Sequence, residues 1–364
     1  MMVVFIIACI PLALLLSYPF YAWLRYVFFK SPPKRNHLFL QPVSILISCY
    51  NEEKHIRQRI ETFLADDEWI DGSEIIVISA GSTDGTNAIL ESFHLNSKVK
   101  TIILQQHFTK IESLNKIVPL ASNNILIFSD CRQQMRRHAV KHLVRNFSDP
   151  RVGTVTSVLR DHFDSKQESF MRKLLNAILY MDGQSGSSLN VYGALYAQRK
   201  SCFRPFPKDI LFDDLFVIVS TLQQKKRLVQ ENRSVIYDVN FGDYYANERI
   251  KRLNRGLLLF FVNHWRMVFK LEFNDLVRFM IYKYAKLLMP VCMLVSFISF
   301  LFVAPAALVS ITLSLFLFFA LLIPSTQRFI HLLLRINYYF LLSSFRFFFL
   351  GDRSVTWAKL KTST

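Results

Sequence analysis

Two long uncharged stretches bracket a charged middle, and that segregation limits what the chain can fold into. Met1 to Leu24 reads MMVVFIIACIPLALLLSYPFYAWL, and Leu287 to Ile323 is a second apolar run without a charge. Each is long enough to cross a bilayer. The charges crowd between about Phe28 and Lys286. Such a chain reads as a globular domain flanked by lipid-soluble ends.

A signal peptide is the competing reading of the first stretch. Positive charge, however, follows it at once, in Arg25, Lys30, Lys34 and Arg35. The positive-inside rule then predicts an outer N-terminus and a cytosolic domain after it. Tyr18, Tyr21, Trp23 and Tyr26 fall at the expected interface, and Pro11 and Pro19 are expected to kink the helix. The run 287–323 is too long for one span, and Ala304-Pro305-Ala306 offers a turn, so a hairpin is expected. A third segment, 329–350, is aromatic-rich but carries Arg335 and Arg346. Charges inside a span are costly unless they face protein or snorkel. That segment is expected either to span or to lie partly in the interface. The tail around Arg353, Lys359 and Lys361 argues for a cytosolic C-terminus. Before these segments, Arg255 to Leu271 combines an apolar body with a Trp and basic residues, the pattern of a helix lying in the interface.

The formal charge of +17 suits nucleic acid, anionic lipid or a phosphorylated substrate. The basic residues lie beside apolar segments, with Arg249, Lys251, Arg252 and Arg255 ahead of the later ones. There is no zinc-finger pattern and no detached basic arm, so no nucleic-acid partner is expected. The five cysteines form no CxxC pair, which argues against a disulfide framework or zinc site and for a reducing compartment. His138 and His142 share a helix face by spacing, but no carboxylate or Cys completes a metal set. They read as part of a basic helix from Arg136 to Arg145.

The middle of the chain alternates between short β-rich runs and helical periodicity. Strands are predicted over Val43–Ser48, Ile75–Ile78, Thr101–Leu104 and Ile125–Phe128. Helices between them carry Ile56, Ile60, Phe63 and Leu64, then Ala88, Ile89 and Phe93, then Ile111, Leu114 and Val118. This implies an α/β fold with a mainly parallel sheet covered on both faces. Ligands bind past the carboxyl ends of such strands. Polar runs stand there: Ser48-Cys49-Tyr50-Asn51-Glu52-Glu53, Gly81-Ser82-Thr83-Asp84-Gly85-Thr86, and Ser129-Asp130-Cys131-Arg132. Each taken alone is ordinary turn and helix-cap chemistry. Three at one sheet edge point to a site, with an Asp well placed to hold a metal-bound diphosphate.

The ordered set PVSILISCYNEE, IIVISAGSTDGT, HFTKIESLNKIVPL, ILIFSDCRQQ and RNFSDPRVGTVTS resembles the family 2 glycosyltransferases, which have the GT-A fold. VYGALYAQRKSCFRPFPKDILFDDLFVIVSTLQQKKRLVQEN resembles their acceptor-side segment with its acidic motif, and ERIKRLNRG their basic motif. NYYFLLSSFRFFFLGDRSVTWAKL is similar to the C-terminal membrane region of bacterial members related to cellulose and hyaluronan synthases. The resemblance implies an N-terminal transmembrane helix over 1–27 and a GT-A domain over 36–248. It implies interfacial helices with the basic motif over 249–284 and a membrane region over 285–364.

What the resemblance implies for function is inverting transfer of a sugar from a UDP- or GDP-sugar to a lipid-linked or polysaccharide acceptor. The setting is a multi-pass protein of the bacterial inner membrane with its catalytic domain in the cytosol. Other glycan-assembly proteins are admitted as partners. Asp130 is the metal residue, for Mg2+ or Mn2+. Asp214 is the general base, with Asp213 as runner-up. Donor-binding residues are Tyr50, Asn51, Glu52, Ser82, Asp84, Lys110, Asn115, Arg132, Arg252 and Arg249. Flanking apolar residues are expected to desolvate Asp214 and raise its pKa.

Several positions depart from the family pattern. Asp130-Cys131-Arg132 lacks the second acid of Asp-x-Asp, although Mg2+ takes only one or two carboxylates beside phosphate and water. Ser79-Ala80 lacks the acids that contact the nucleotide base in relatives. Arg249-Ile250-Lys251-Arg252-Leu253 lacks the Gln and Trp of processive members, which argues against a standard polymer synthase. These losses motivate the alternative of a catalytically silent GT-A-like membrane subunit that scaffolds a glycan-assembly complex.

Overall fold

The computed structural model describes residues 2–65, 69–161, 169–238, 243–303, 308–309, 312 and 324–353. Its first half repeats one unit. β1 (Val43–Cys49) leads to α2 (Ile56–Leu64), β2 (Glu74–Ala80) to α3 (Thr86–Glu91), and β3 (Val99–Leu104) to α4 (Lys110–Ile117) before β4 (Ile125–Ser129). Preceding them all is α1 (Met2–Phe28). β1, β2 and β4 are buried almost throughout, as strands covered on both faces must be. Alternate residues serve two cores. Ile45, Ile47, Ile75 and Val77 meet α2 residues Ile56, Ile60 and Phe63. Leu46, Ile76 and Ile78 belong to a core on the other face that includes Tyr18 and Ala22 of α1. The lower half of α1 is therefore seated on the sheet domain. α4 begins with a capping box in which the Thr109 hydroxyl accepts from Glu112 N and the Glu112 carboxylate accepts from Thr109 N.

The second half departs from the repeat. β5 (Gln134–Met135), α5 (Ala139–Arg145), β6 (Val152–Arg160), α6 (Phe170–Gln184), β7 (Leu195–Arg199), α7 (Asp213–Gln223) and β8 (Arg227–Tyr237) complete one sheet of order β3-β2-β1-β4-β7-β6-β8-β5. The expectation of a mainly parallel sheet holds for β3-β2-β1-β4. Beyond β4 it is corrected to a mixed sheet. β7 runs antiparallel to both β4 and β6, β8 parallels β6, and β5 opposes β8. The physical reason is that crossover helices enforce parallel neighbours only while strand and helix alternate regularly.

After the sheet come α8 (Asp243–Val268), α9 (Phe273–Phe279), a π-helical turn at Met280–Tyr284, and α10 (Ala285–Val303). α11 (Pro324–Phe349) follows. α8 contains the amphipathic stretch read from the sequence and bends at His264 (φ −124°, ψ 16°), whose Nε2 lies 3.1 Å from Asp209 Oδ1. Leu257 to Phe260 face the protein, while Phe261, Val262 and Trp265 are exposed. Among the described residues one helical run, Phe273–Phe302, is long and apolar enough to cross a membrane, and most of it faces outward. The predicted turn at Ala304-Pro305-Ala306 and most of the second limb of the hairpin lie outside the described residues, as do Lys359 and Lys361.

The segment 329–350 is a helix that lies along α8. Asn254 Nδ2 donates to Phe340 O and Ser344 Oγ, both at 3.0 Å. The charges that made this segment hard to read have partners on the protein. Arg335 Nε donates to Asn247 Oδ1 at 2.5 Å, and Arg346 and Arg255 both meet Asp352.

Candidate active site

The carboxyl ends of β1 and β2 are stitched to each other through their loops. Asn51 adopts a left-handed backbone (φ 54°), its N–H donates to Ser82 Oγ (3.0 Å), and its Oδ1 accepts from Thr83 N (2.7 Å). Asp84 Oδ1 accepts from Thr86 N (3.0 Å), setting the start of α3. Gly81 takes φ +75°, and a Cβ there would stand 2.7 Å from His107 N, so only glycine fits. Tyr50 packs edge-on against His107, with ring centroids 4.4 Å apart.

At the end of β4 the chemistry becomes ionic. Lys110, in the first turn of α4, reaches Asp130 Oδ1 at 2.8 Å and Asp213 Oδ2 at 3.4 Å. Its Nζ also donates to Gly193 O at 3.4 Å. Burial opposes the Lys110 charge, but Asp130 and Asp213 outweigh it and hold the group above the ordinary lysine range. One cation thus joins the acid after β4 to the acid that opens α7. Asp213 is buried and also accepts from Tyr196 Oη at 3.4 Å.

Asp214 stands next in the same helical turn, and its Oδ1 accepts from Leu215 N at 2.8 Å. Burial pushes its carboxyl up to about 6; Lys283 pulls it down and Asp213 pushes it further up. Arg252 of α8 comes from another side. Its guanidinium lies over the Phe212 ring, 5.3 Å from the centroid, and Gly256 makes room for that ring. Burial lowers the Arg252 pKa to about 10, Arg249 adds repulsion, and the charges of Asp130 and Asp214 work the other way.

The structure brings together Lys110, Asp130, Asp213, Asp214 and Arg252. Glu52 and Arg132 form a forked ion pair of 2.7–2.9 Å beside them. Ser82, Asp84 and Asn51 are engaged in the loop network above. Asn115 points elsewhere, holding both backbone groups of Phe206 at 2.8 Å. Arg249 reaches Asp238 at 3.1 Å, which Arg172 also holds.

Sequence reasoning missed three contributors. Lys283 is buried on the π-helical turn, with Nζ donating to Asn190 Oδ1 at 2.9 Å while its charge acts on Asp214. Lys283 and Lys286 bound an apolar run, so their only sequence signal was that of a membrane boundary. Tyr196 carried no sequence signal. At Gly193 a Cβ would lie 3.5 Å from Asp213 Oδ1 and 3.6 Å from Lys110 Nζ, so a larger side chain would crowd the ion cluster.

The carboxylates form an all-oxygen set, suited to Mg2+ or Mn2+ rather than to softer metals. Among the described residues no three His, Cys, Asp or Glu side chains gather into a self-sufficient cage. The Lys110 ammonium between Asp130 and Asp213 marks a place where cationic charge is held. The residues present therefore fit a hard cation that takes its remaining ligands from phosphate and water.

Comparison with known proteins bears on part of this site. Residues 44–204 match the family model described as glycosyl transferase family 2. That segment is a family 2 glycosyltransferase domain. It holds Lys110, Asp130, Tyr50 and Glu52, while Asp213, Asp214 and Arg252 come from beyond it. A poly-beta-1,6-N-acetyl-D-glucosamine synthase of Staphylococcus epidermidis is 27% identical over 139 residues, which are 36% of this chain and 33% of that protein. A synthase of the same name from Staphylococcus aureus strain COL is 29% identical over 118 residues, 32% of this chain and 28% of that one. The matches thus span about a third of these relatives' length. A mannosyltransferase from Pyrobaculum calidifontis, solved with GDP-mannose and Mn2+, superposes with a TM-score of 0.74 at 17% identity. The superposition covers 96% of this chain and 100% of that one, so the family 2 domain and most of its flanking helices share one fold.

Proposed function

We propose that the chain is a membrane-bound, metal-dependent, inverting glycosyltransferase that moves a sugar from a nucleotide diphosphate donor to a lipid-linked or polysaccharide acceptor. The observation that carries this reading is the joining of Asp130 to Asp213 by Lys110, with Asp214 and Arg252 alongside, at the carboxyl edge of the parallel strands. Leaving-group charge and acceptor activation are the two needs of glycosyl transfer, and the cluster has groups for both.

Asp214 is the general base. Asp213 is tied to Lys110 and Tyr196, whereas Asp214 has a carboxyl raised to about 6, suited to taking a proton near neutrality. As the acceptor oxygen bonds to the anomeric carbon, Asp214 takes its proton. The bond from that carbon to the phosphate oxygen breaks, and its electron pair leaves with the nucleoside diphosphate. Attack from the face opposite the leaving group inverts the anomeric centre. Arg252 and Lys110 bear on the diphosphate, the guanidinium by its match to phosphate geometry. A divalent ion at Asp130, and at Asp213 once Lys110 turns to phosphate, would supply further charge neutralisation. Arg132 is balanced by Glu52, so its part is to position that loop.

The membrane reading rests on the outward apolar surface of α10, with Leu288, Val291, Leu294, Phe297 and Leu301 exposed. α1 packs against it, Cys9 Sγ lying 3.7 Å from Ser296 Oγ, and shows Val3, Ile6, Ile10 and Leu14 outward. Lipid is the matching solvent for such a pair. α11, seated on α8, is assigned to the interface. The domain limits read from the sequence are retained in this proposal, with the sheet domain in the cytosol.

The test is nucleoside diphosphate release from a panel of donors headed by UDP-N-acetylglucosamine and GDP-mannose, in membranes containing the protein and Mn2+ or Mg2+. We expect release with one donor. Asp214→Asn should lose release while retaining donor affinity; unchanged turnover in that variant overturns the base assignment. Failure of every donor to bind favours a silent scaffold.

A further inference from the structure

The π-helical turn Met280–Tyr284 and the first turn of α10 carry two lysines, Lys283 and Lys286, to which the transfer steps give no part. Lys283 is only 8% exposed, although it lies in the helical run long and apolar enough to cross a membrane. Burying an ammonium is costly, and π-helical turns are rare and recur at functional sites.

Lys283 Nζ donates to Asn190 Oδ1 at 2.9 Å, and its charge and that of Asp214 act on each other. An ammonium has three donors, and that hydrogen bond uses one. Lys286 is partly buried. Among the described residues it makes no hydrogen bond and no ion pair; its Nζ lies over the Tyr282 ring, 4.4 Å from the centroid. Lys283 Nζ lies 5.3 Å from the same centroid. Tyr282 is buried and packs against Tyr18 of α1, so the ring that both ammonium groups share is held in place. An aromatic face is a weaker partner for an ammonium than an anion is. From the site outward come Asp214, Lys283 and Lys286, then Leu288, Val291 and Leu294 on the exposed apolar surface of α10.

We propose that Lys283 and Lys286 bind the phosphate or diphosphate that joins an acceptor sugar to its lipid. The inference rests on the transferase reading above and narrows its acceptor to a lipid-linked sugar with an anionic linker. A linker held there lays the lipid chain along α10 and turns the sugar hydroxyl toward Asp214. Bulk phospholipid accounts for neither the burial of Lys283 nor its place beside Asp214, since lysines that only meet headgroups reach outward to them.

The test is retention of radiolabelled farnesyl diphosphate by the immobilised full chain in neutral detergent with EDTA. Its head mimics the linker, and farnesol is the uncharged control. We expect saturable binding of the diphosphate and little retention of farnesol. Lys286→Gln should weaken diphosphate binding about tenfold. If that variant does not fold, Lys286→Met, which also removes the charge, carries the test. Unchanged affinity in either folded variant overturns the proposal. Arg252→Ala should keep the binding; loss there assigns the diphosphate to the donor site and overturns the proposal. Displacement by phosphatidylglycerol in mixed micelles assigns the lysines to bulk lipid and overturns it equally. Donor binding is measured alongside. Farnesyl diphosphate held by a chain that binds no nucleotide sugar defeats the transferase reading and leaves the lysine site standing. Donor turnover with no farnesyl diphosphate bound defeats the lysine site alone.

Discussion

At the scale of single residues, adjacent acids of α7 sit in different surroundings, and the proposed division of their parts follows from that. Asp213 faces a lysine cation at 3.4 Å, while Asp214 is desolvated and raised to about 6. The base form of Asp214 exists above that value, so transfer should fall as pH drops through about 6 and level off above it. A rate profile from pH 5 to 8 checks this; a profile flat across that range would remove Asp214 from the proton transfer. The linked stability effect has the opposite sign. A carboxyl whose folded pKa exceeds its unfolded value binds its proton more tightly when folded, so its ionised form costs stability above about pH 6. Asp214→Asn should therefore raise the melting temperature at pH 8 while abolishing turnover. Asp130 and Asp214 were legible in the sequence because each occupies a place with a local signature, a strand end and a helix start. Lys283 was not, because its neighbour Asp214 is distant in the chain and the lysine's own surroundings read as a membrane boundary.

Among elements, the site depends on how closely α8 lies against the start of α7. Phe212, just before the two acids, lies beneath the Arg252 guanidinium and against Gly256. A Cβ at Gly256 would fall 2.2 Å from Phe212 Cε2, well inside contact distance. Gly256→Ala must push the ring, the helix or both, an overpacking that costs about 1–3 kcal/mol. Because the ring leads directly into Asp213 and supports Arg252, the variant should lose turnover as well as melting temperature. A variant with wild-type melting and turnover would show that the α7–α8 junction yields freely. The repeating β1–β4 half was legible because its strands are short runs rich in Ile, Val and Leu separated by periodic helices. The reversal at β7 was not. Strand direction depends on which edge a strand joins, and Leu195–Arg199 carries no local mark of that.

Across the whole molecule, the question is how an apolar end is fixed to a polar domain. A buried ionic knot makes the joint. Asp182 of α6, fully inaccessible, meets Arg278 of α9 at 2.8 Å and accepts from Tyr18 Oη of α1 at 2.8 Å. Arg278 donates on to Ser187 O at 2.7 Å, and Arg25 donates to Ser185 O at 2.9 Å. α1 and α9 thus converge on one carboxylate in the sheet domain. Sequence composition revealed the apolar ends, but not this convergence, since it pairs residues of three separate helices. A buried pair adds little net stability over an apolar replacement, yet removing one partner strands the other charge and costs about 3–5 kcal/mol. Arg278→Ala should accordingly melt far earlier in detergent than wild type. Adding Asp182→Asn should recover part of the loss, because the stranded charge is then gone. A double variant as unstable as the single would mean that packing around Arg278, rather than its charge, holds α1 and α9 to the domain.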